Sequence, residues 1–332
     1  MRDDGPPALS VVIPMYNEES VLPLLVKRLR PVLDGIGDTY EVVAVDDGST
    51  DDTAALLHLL RRSWPQLRLI RLRRNSGHQA ALTAGLHRAA GRYVVSIDAD
   101  LQDPPETIPE MLLAAQVNDL SIVYGVRTDR STDTAFKRNT AGAYYRLMRR
   151  IVGKRVPAGA GDFRLLRRDA VDALISLPEQ KPVYRLLVPW LGFPSGEVAY
   201  AREKRAAGTT KYPLTKMIKL AVDSVVSFTA APLRVAIWLG LVGVLACIAM
   251  AVTTLSAYLR GEVVPGWTSL FLAVMFLGTI QLVCLGLLGE YVGRIFQVMQ
   301  HRPTFIIGYD SLDSEAGDLV PKARRSEALI NN

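Results

Sequence analysis

The sequence predicts an α/β domain on a doubly wound, mostly parallel sheet, then an amphipathic helix and two transmembrane helices. Three observations carry this expectation. Short β-rich runs alternate with helical patterns between Leu9 and Tyr124, the order that builds parallel sheets. Two acidic clusters, Asp46-Asp47 and Asp98-Ala99-Asp100, follow the ends of two of those runs. Val235–Leu259 and Val263–Gly289 carry no charged residue, and each exceeds the roughly 20 residues needed to cross a bilayer.

The elements are expected in the following order. Leu9–Pro14 is a strand, followed by a polar turn and the helical pattern Glu18–Leu33. Glu41–Val45 is a second strand, ending on Asp46-Asp47-Gly48-Ser49. The helix after it takes Ser49 or Thr50 as its N-cap, since a short hydroxyl side chain satisfies first-turn N–H groups. Leu67–Leu72 is a third strand and Gly77–Ala90 a third helix. Arg92–Ile97 is a fourth strand, and Pro104-Pro105-Glu106 opens the next helix, where proline is tolerated in the first turn. Leu120–Tyr124 is a fifth strand. In such sheets ligands bind beyond the carboxyl ends of the strands, so both acidic clusters should line one crevice.

The region from Thr128 to Tyr212 is harder to read. It holds the basic helical stretch Lys137–Val152 and the glycine-rich turn Gly159-Ala160-Gly161, which leads into Asp162-Phe163-Arg164. It closes on Arg202-Glu203-Lys204-Arg205 and Gly208-Thr209-Thr210-Lys211. Leu214–Phe228 has helical apolar spacing and reads as an interfacial helix. The expected organisation is thus residues 1–212 as a cytosolic domain, 213–232 as a juxtamembrane helix, 233–292 as two spans and 293–332 as a C-terminal helix and tail. The helix leaving the second span should stop at His301-Arg302-Pro303, and the tail from Asp310 should be polar and flexible. Lysines and arginines before the first span and after the second place both termini in the cytoplasm. Trp238 and Trp267 fit the membrane interface, and Trp190 reads as a packing residue.

The chain has 332 residues, 49% of them hydrophobic, and a net charge of +6. Its mean hydropathy is +0.16 and its pI about 9.3. The basic balance favours anionic partners. The basic residues gather beside the apolar stretches and no nucleic-acid motif appears, so a nucleic-acid role is not expected. The two cysteines, Cys247 and Cys284, lie in the apolar stretches and are poor candidates for a disulfide frame or a zinc site. No secretory signal is read at Met1–Pro7.

Asp98 and Asp100 are two carboxylates just past a strand, able to share one divalent cation. Hard cations such as Mg²⁺ prefer carboxylate and diphosphate oxygens. Alone the pattern is common in surface loops; its place after a strand and before Leu101-Gln102-Asp103-Pro104-Pro105 strengthens it. The Asp46-Asp47 pair can accept hydrogen bonds from a base or ribose, or can simply cap a helix. No G-x-G-x-x-G follows the first strand, which excludes the usual dinucleotide fingerprint. His78 reads as a packing or capping residue rather than a catalyst.

Four segments come in order: Pro14-Met15-Tyr16-Asn17-Glu18-Glu19, Asp46-Asp47-Gly48-Ser49, Asn75-Ser76-Gly77-His78-Gln79-Ala80-Ala81-Leu82 and Asp98-Ala99-Asp100-Leu101-Gln102-Asp103-Pro104-Pro105. Together they closely resemble the inverting family 2 glycosyltransferases of the GT-A fold. Within that family the chain is similar to polyprenyl-phosphate glycosyltransferases, relatives of dolichyl-phosphate mannose synthase, and most like the bactoprenol glucosyltransferases with two C-terminal spans. The likeness runs from about Leu9 to Ile307.

That resemblance implies roles by matched position. Pro14, Tyr16, Glu18, Asp46, Asp47 and Gly77 would hold the nucleotide part of a UDP-sugar. Asp98, Ala99, Asp100 and Gln102 would hold the diphosphate and sugar, with Asp98 and Asp100 on Mg²⁺ or Mn²⁺. Arg127, Arg202, Arg205, Thr210 and Lys211 would bind the acceptor phosphate, Thr210 standing where a serine is expected. Asp162 matches the residue assigned as catalytic base, with Asp100 beside it in catalysis. The implied reaction carries one sugar, glucose first, from UDP to a polyprenyl phosphate such as undecaprenyl phosphate. It would take place at the cytoplasmic face of the inner membrane, in an enzyme whose relatives form tetramers. A phosphate monoester is largely dianionic at neutral pH, with a second pKa of about 6, so Asp162 serves to orient as much as to deprotonate. The rival readings are a processive polysaccharide synthase, for which no Q-x-x-R-W motif is found, and a non-catalytic nucleotide-sugar-binding membrane protein.

Overall fold

The structure, a computed structural model, describes residues 5–128, 160–179, 182–203, 231–261 and 266–313. The expected helices over Lys137–Val152 and Leu214–Phe228, and the candidate residues Arg205, Thr210 and Lys211, lie outside the described residues. The chain divides into two compact units, Met1–Thr210 with Pro303–Asn332, and Lys211–Arg302.

The first unit is an eight-stranded sheet. Its elements are β1 (Leu9–Met15), α1 (Leu22–Asp34), β2 (Tyr40–Asp46), α2 (Thr53–Ser63), β3 (Leu67–Leu72), α3 (His78–Arg88) and β4 (Tyr93–Ser96). A single 3-10 turn at Pro105–Thr107 then leads into α4 (Ile108–Val117), followed by β5 (Ile122–Arg127), β6 (Ala160–Arg167), α5 (Arg168–Ile175), α6 (Tyr184–Trp190) and β7 (Ser195–Tyr200). The last strand, β8 (Ile307–Asp310), comes from the far end of the chain. The strand order is β7-β5-β6-β4-β1-β2-β3-β8.

Strands β1 to β4 pair in parallel, as the alternation predicts. Strand β6 runs antiparallel between β4 and β5, and β7 is parallel to β5. Six strands therefore share one direction, and their carboxyl ends lie along one edge. The antiparallel β6 brings its first residues to that same edge. This is why Asp162, far away in sequence, arrives beside the ends of β4 and β5.

Side chains alternate across the sheet. Leu9, Val11, Ile13 and Met15 of β1 pack with Leu22, Leu25, Leu29 and Leu33 of α1, and with Ile108 and Met111 of α4, in one buried core. Val12 faces the other side, where α3 lies so close that a Cβ on Gly85 would sit 2.2 Å from the Val12 side chain. Only glycine fits there.

Several boundaries differ from the expectation. Helix α2 starts at Thr53, and neither Ser49 nor Thr50 caps it. Instead Asp51 accepts the Thr53 N–H and hydroxyl at 3.1 and 2.6 Å. The Gly159-Ala160-Gly161 segment expected as a turn already enters β6 at Ala160. The tail expected to be flexible from Asp310 is anchored as far as the described residues run. β8 pairs antiparallel with β3, Arg68 forks the Asp310 carboxylate at 2.9 and 2.6 Å, and Arg88 donates to Asp313 at 3.0 Å. Trp190, expected to pack, is 55% exposed.

The second unit holds two helices, α7 (Ala231–Leu259) and α8 (Trp267–Met299). Both are long and apolar enough to cross a membrane, with windows Leu233–Leu259 and Ala273–Met299 of mean hydropathy 2.6 and 1.8. Helix α8 runs ten residues past the expected end of its span at Gly289 and stops at Met299, just before His301-Arg302-Pro303. Its last turns carry an ion pair between Glu290 and Arg294 at 2.9 Å. The two helices pack on each other, with Gly243 facing Leu277 and the Cys284 thiol 3.7 Å from the Ala236 carbonyl. Both cysteines are free.

Candidate active site

The loops beyond the carboxyl ends of β1 and β2 are sewn together. The Asn17 N–H donates to the Ser49 hydroxyl at 3.0 Å, the Thr50 N–H to the Asn17 side-chain oxygen at 2.9 Å, and the Glu18 N–H to the Thr53 hydroxyl at 2.9 Å. Asn17 holds a left-handed φ of 56°. Pro14 is buried in β1, and Tyr16 stands 43% exposed at the mouth.

The two acids at the end of β2, Asp46 within the strand and Asp47 just after it, largely shape these loops. Asp46 is fully buried; one carboxylate oxygen accepts the Ser49 N–H at 2.9 Å and the other lies 3.0 Å from the Arg71 guanidinium. Asp47 accepts the Ser76 and Gly77 N–H groups at 2.7 and 2.8 Å. Burial raises the Asp47 carboxyl above its ordinary value, against the pull of those two N–H groups. At Gly48, φ is 68° and a Cβ would come within 2.7 Å of the Arg74 backbone. That close approach brings the β3–α3 loop, with Gly77 and His78, up to the acidic loops.

Asp98 and Asp100 follow β4. Leu101, buried between them and Gln102, adopts φ 58°, a left-handed conformation that costs a non-glycine residue about 1–3 kcal/mol. Such strain is common where a loop must present side chains. The Asp98 carboxyl is raised to about 6, first by burial and then by Asp162, Asp103 and Asp100, with His78 opposing. Among the described residues no cluster of three or more His, Cys, Asp or Glu side chains forms a cage. Asp98 and Asp100 are the two carboxylates at this edge that could hold a metal.

Asp162 sits at the start of β6, fixed to the end of β4 by the Ser96 hydroxyl, which donates to its carbonyl at 2.5 Å. Arg164, two residues on and so on the same face of the strand, donates to the Asp162 carboxylate at 2.5 Å. The same guanidinium holds the carbonyls of Gly161 and Tyr184 at 3.0 and 2.9 Å and is itself only 2% exposed. Gln79 reaches the other Asp162 oxygen at 3.3 Å. His78 lies between the acids, 3.6 Å from Asp98 and 3.7 Å from Asp162. Burial raises Asp162, but His78, Arg164 and Arg185 more than offset it and hold the carboxyl well below the usual range. Burial lowers His78, while Asp162 and Asp98 leave it net raised.

The loop after β4 also ties down the ends of β5 and β7. Buried Asp103 accepts from the Tyr200 hydroxyl and from Arg127 at 3.3 Å, and Arg127 also donates to the Tyr200 oxygen at 3.1 Å. Arg202 donates to the Gln102 side chain, and the Glu203 N–H to the Gln102 carbonyl at 3.1 Å. Asp98, Asp100, Gln102, Arg127, Asp162 and Arg202 are thus brought to one edge.

Residues 10–175 match the family described as Glycosyl transferase family 2, and residues 231–295 match the GtrB C-terminal hairpin. The chain belongs to glycosyl transferase family 2. An uncharacterized glycosyltransferase of Bacillus subtilis (strain 168) is 40% identical over 299 residues, 90% of this chain and 92% of its own length. The bactoprenol glucosyl transferase of Shigella phage SfV is 37% identical over 300 residues, 90% of this chain and 97% of its own. A prophage bactoprenol glucosyl transferase homolog of Escherichia coli (strain K12) is likewise 37% identical, over 98% of its length. This chain is therefore a glycosyltransferase with a GT-A-like α/β domain and two candidate membrane-spanning helices.

His78, read from the sequence as a packing or capping residue, instead lies between Asp98 and Asp162, and three further residues that touch the candidate site, Gln79, Asp103 and Arg164, were not singled out. His78 and Gln79 follow Gly77 in a motif that the sequence does flag, and Asp103 lies in the Asp98–Pro105 segment. Arg164 could have been found from strand periodicity, since it stands two residues from Asp162.

Proposed function

We propose that this glycosyltransferase moves one sugar, most readily glucose, from a UDP-sugar to a polyprenyl phosphate such as undecaprenyl phosphate, with inversion at the anomeric carbon. The observation that carries the reading is the reach of the likeness. It covers 90% of the chain with bactoprenol glucosyl transferases, so the acidic loops and the apolar hairpin come together in one kind of enzyme.

The loops after β1 and β2 would receive the uridine, through Pro14, Tyr16 and Glu18 and the backbone that Asp46 and Asp47 hold in place. Asp98 and Asp100 fit Mg²⁺ or Mn²⁺, which when bound would neutralise charge on the departing diphosphate. Arg127, Arg202, Arg205, Thr210 and Lys211 would draw the acceptor phosphate toward the sugar; arginine forks suit phosphate oxygens, and fixed charge of this kind is commonly the largest catalytic contribution. Asp162 is held ionised by Arg164 and His78. A carboxylate so far below its usual range is a weak base, and the acceptor is already mostly a dianion. Its role is to orient the sugar or acceptor.

The reading places the enzyme in the inner membrane with both ends cytoplasmic. Pairing of β3, before the apolar hairpin, with β8, after it, supports an even number of crossings. Arg234 in the first turn of α7, and Arg294 in the last turns of α8 with Arg302 just beyond it, agree with the positive-inside rule.

The test is transfer from a panel of radiolabelled UDP-sugars to undecaprenyl phosphate in detergent, with Mg²⁺ or with EDTA. Labelled lipid from UDP-glucose, lost with EDTA, is expected. Binding of UDP-sugars without any lipid product would overturn the reading.

A further inference from the structure

The chain that leaves β7 carries Arg202 and leads into Arg205 and Lys211, while the loop after β4 carries Asp98 and Asp100. One side chain from elsewhere grips both. Arg28, on α1, forks Glu106 at 2.9 and 2.7 Å, next to the β4 loop, and forks Glu203 at 2.7 and 2.9 Å, next to Arg202. Gln102 completes the junction through its carbonyl and side chain, which hold Glu203 and Arg202.

We propose that Arg28 is a positioning residue for the acceptor: by clamping Glu203 to Glu106 it sets Arg202 against the carboxylate loop. The inference rests on the proposed acceptor being a lipid phosphate monoester. Arg28 touches no reacting group; it acts through Glu203 and the chain beside it.

Energetics separate this role from a stabilising one. The Arg28, Glu106 and Glu203 side chains are 24%, 49% and 47% exposed, and exposed ion pairs contribute little to folding. Geometry is another matter, because a misplacement of about 1 Å between reacting groups can cost roughly a hundredfold in rate. The phosphate must reach the anomeric carbon opposite the departing UDP, and the two groups that guide it come from different loops. Holding those loops in fixed relation is where a double fork matters.

The test uses the full-length protein in detergent, with Arg28→Gln, Glu203→Gln and the double variant, varying UDP-glucose and undecaprenyl phosphate in turn. The expected result is a fall of roughly ten- to a hundredfold in kcat/KM for the lipid phosphate, with KM for UDP-glucose and Tm unchanged. The double variant should be no worse than Arg28→Gln alone, since that change already breaks the Arg28–Glu203 fork. Unchanged lipid kinetics, or equal losses for both substrates with a lower Tm, would overturn the proposal while leaving the reaction intact. A wild-type enzyme that makes no lipid product would overturn the functional reading and the proposal with it.

Discussion

At the residue scale, the site is a set of acids whose charges are settled by named neighbours. Asp98, raised first by burial and then by Asp162, Asp103 and Asp100 against the pull of His78, has its carboxyl pushed up to about 6. Below that pH the proton competes with a cation for the same oxygens, because metal binding requires the deprotonated ligand. Mn²⁺ affinity in the presence of UDP should therefore be nearly level above pH 7 and drop about tenfold by pH 5. Calorimetry at the two pH values measures this, and Asp98→Asn should lose the dependence along with most of the affinity. Asp162 is the opposite case, an acid that Arg164, His78 and Arg185 keep charged throughout any assay range. Asp162→Asn keeps the shape and removes the charge. We expect kcat to fall roughly a hundredfold, the cost of a misoriented reacting group, while UDP binding, read by calorimetry, is unchanged. Asp98, Asp100 and Asp162 were legible in the sequence as motif residues. Arg164, Gln79 and His78 were not, because their importance lies in what they touch. A strand must first place Arg164 on the Asp162 face, and a helix must first aim His78 between two acids.

At the scale of elements, the strand-and-helix alternation from β1 to α4 was readable because each strand is a short β-branched run bounded by turn residues. Strands β6 and β8 were not. Strand β6 opens on glycine and alanine and reads as a turn, and it becomes a strand because it fills the gap between β4 and β5. Strand β8 is four residues, Ile307–Asp310, in a segment otherwise polar, and its partner β3 lies more than two hundred residues earlier. Its anchor is the buried ion pair of Arg68 with Asp310. Removing one partner of a buried pair strands the other charge and typically costs about 3–5 kcal/mol, so Asp310→Ala should lower Tm by several degrees in thermal unfolding. A pH dependence follows as well. Burial raises the Asp310 carboxyl, but Arg68 and the Leu312 N–H outweigh it and leave it lowered in the folded state. The unfolded chain then binds the extra proton first, so the stabilisation is complete above the unfolded value of about 3.9 and is lost as pH falls through the lower folded value. Asp310→Asn should flatten that acid-side loss.

At the scale of the whole molecule, the spans were the plainest feature of the sequence, since an uncharged stretch of that length has few other uses. What composition did not reveal is that the chain returns to its first domain after the hairpin. The sheet takes strands from before and after the hairpin, and the proposed topology, with both ends cytoplasmic, predicts that Gly261 and Leu312 lie on opposite sides of the membrane. A cysteine introduced at Gly261 should react with a membrane-impermeant maleimide added from outside intact spheroplasts, and one at Leu312 only after lysis. The reverse pattern would contradict the topology. The central claim is that one sugar joins a lipid phosphate by a single displacement at the Asp98–Asp162 edge. Its most direct test is the chemical structure of the lipid made from UDP-glucose and undecaprenyl phosphate, by mass spectrometry and NMR. One hexose in a β-linked phosphodiester, opposite in configuration to the donor, is the expected product. An α-linked product, a chain of several sugars, or free glucose alone would contradict it.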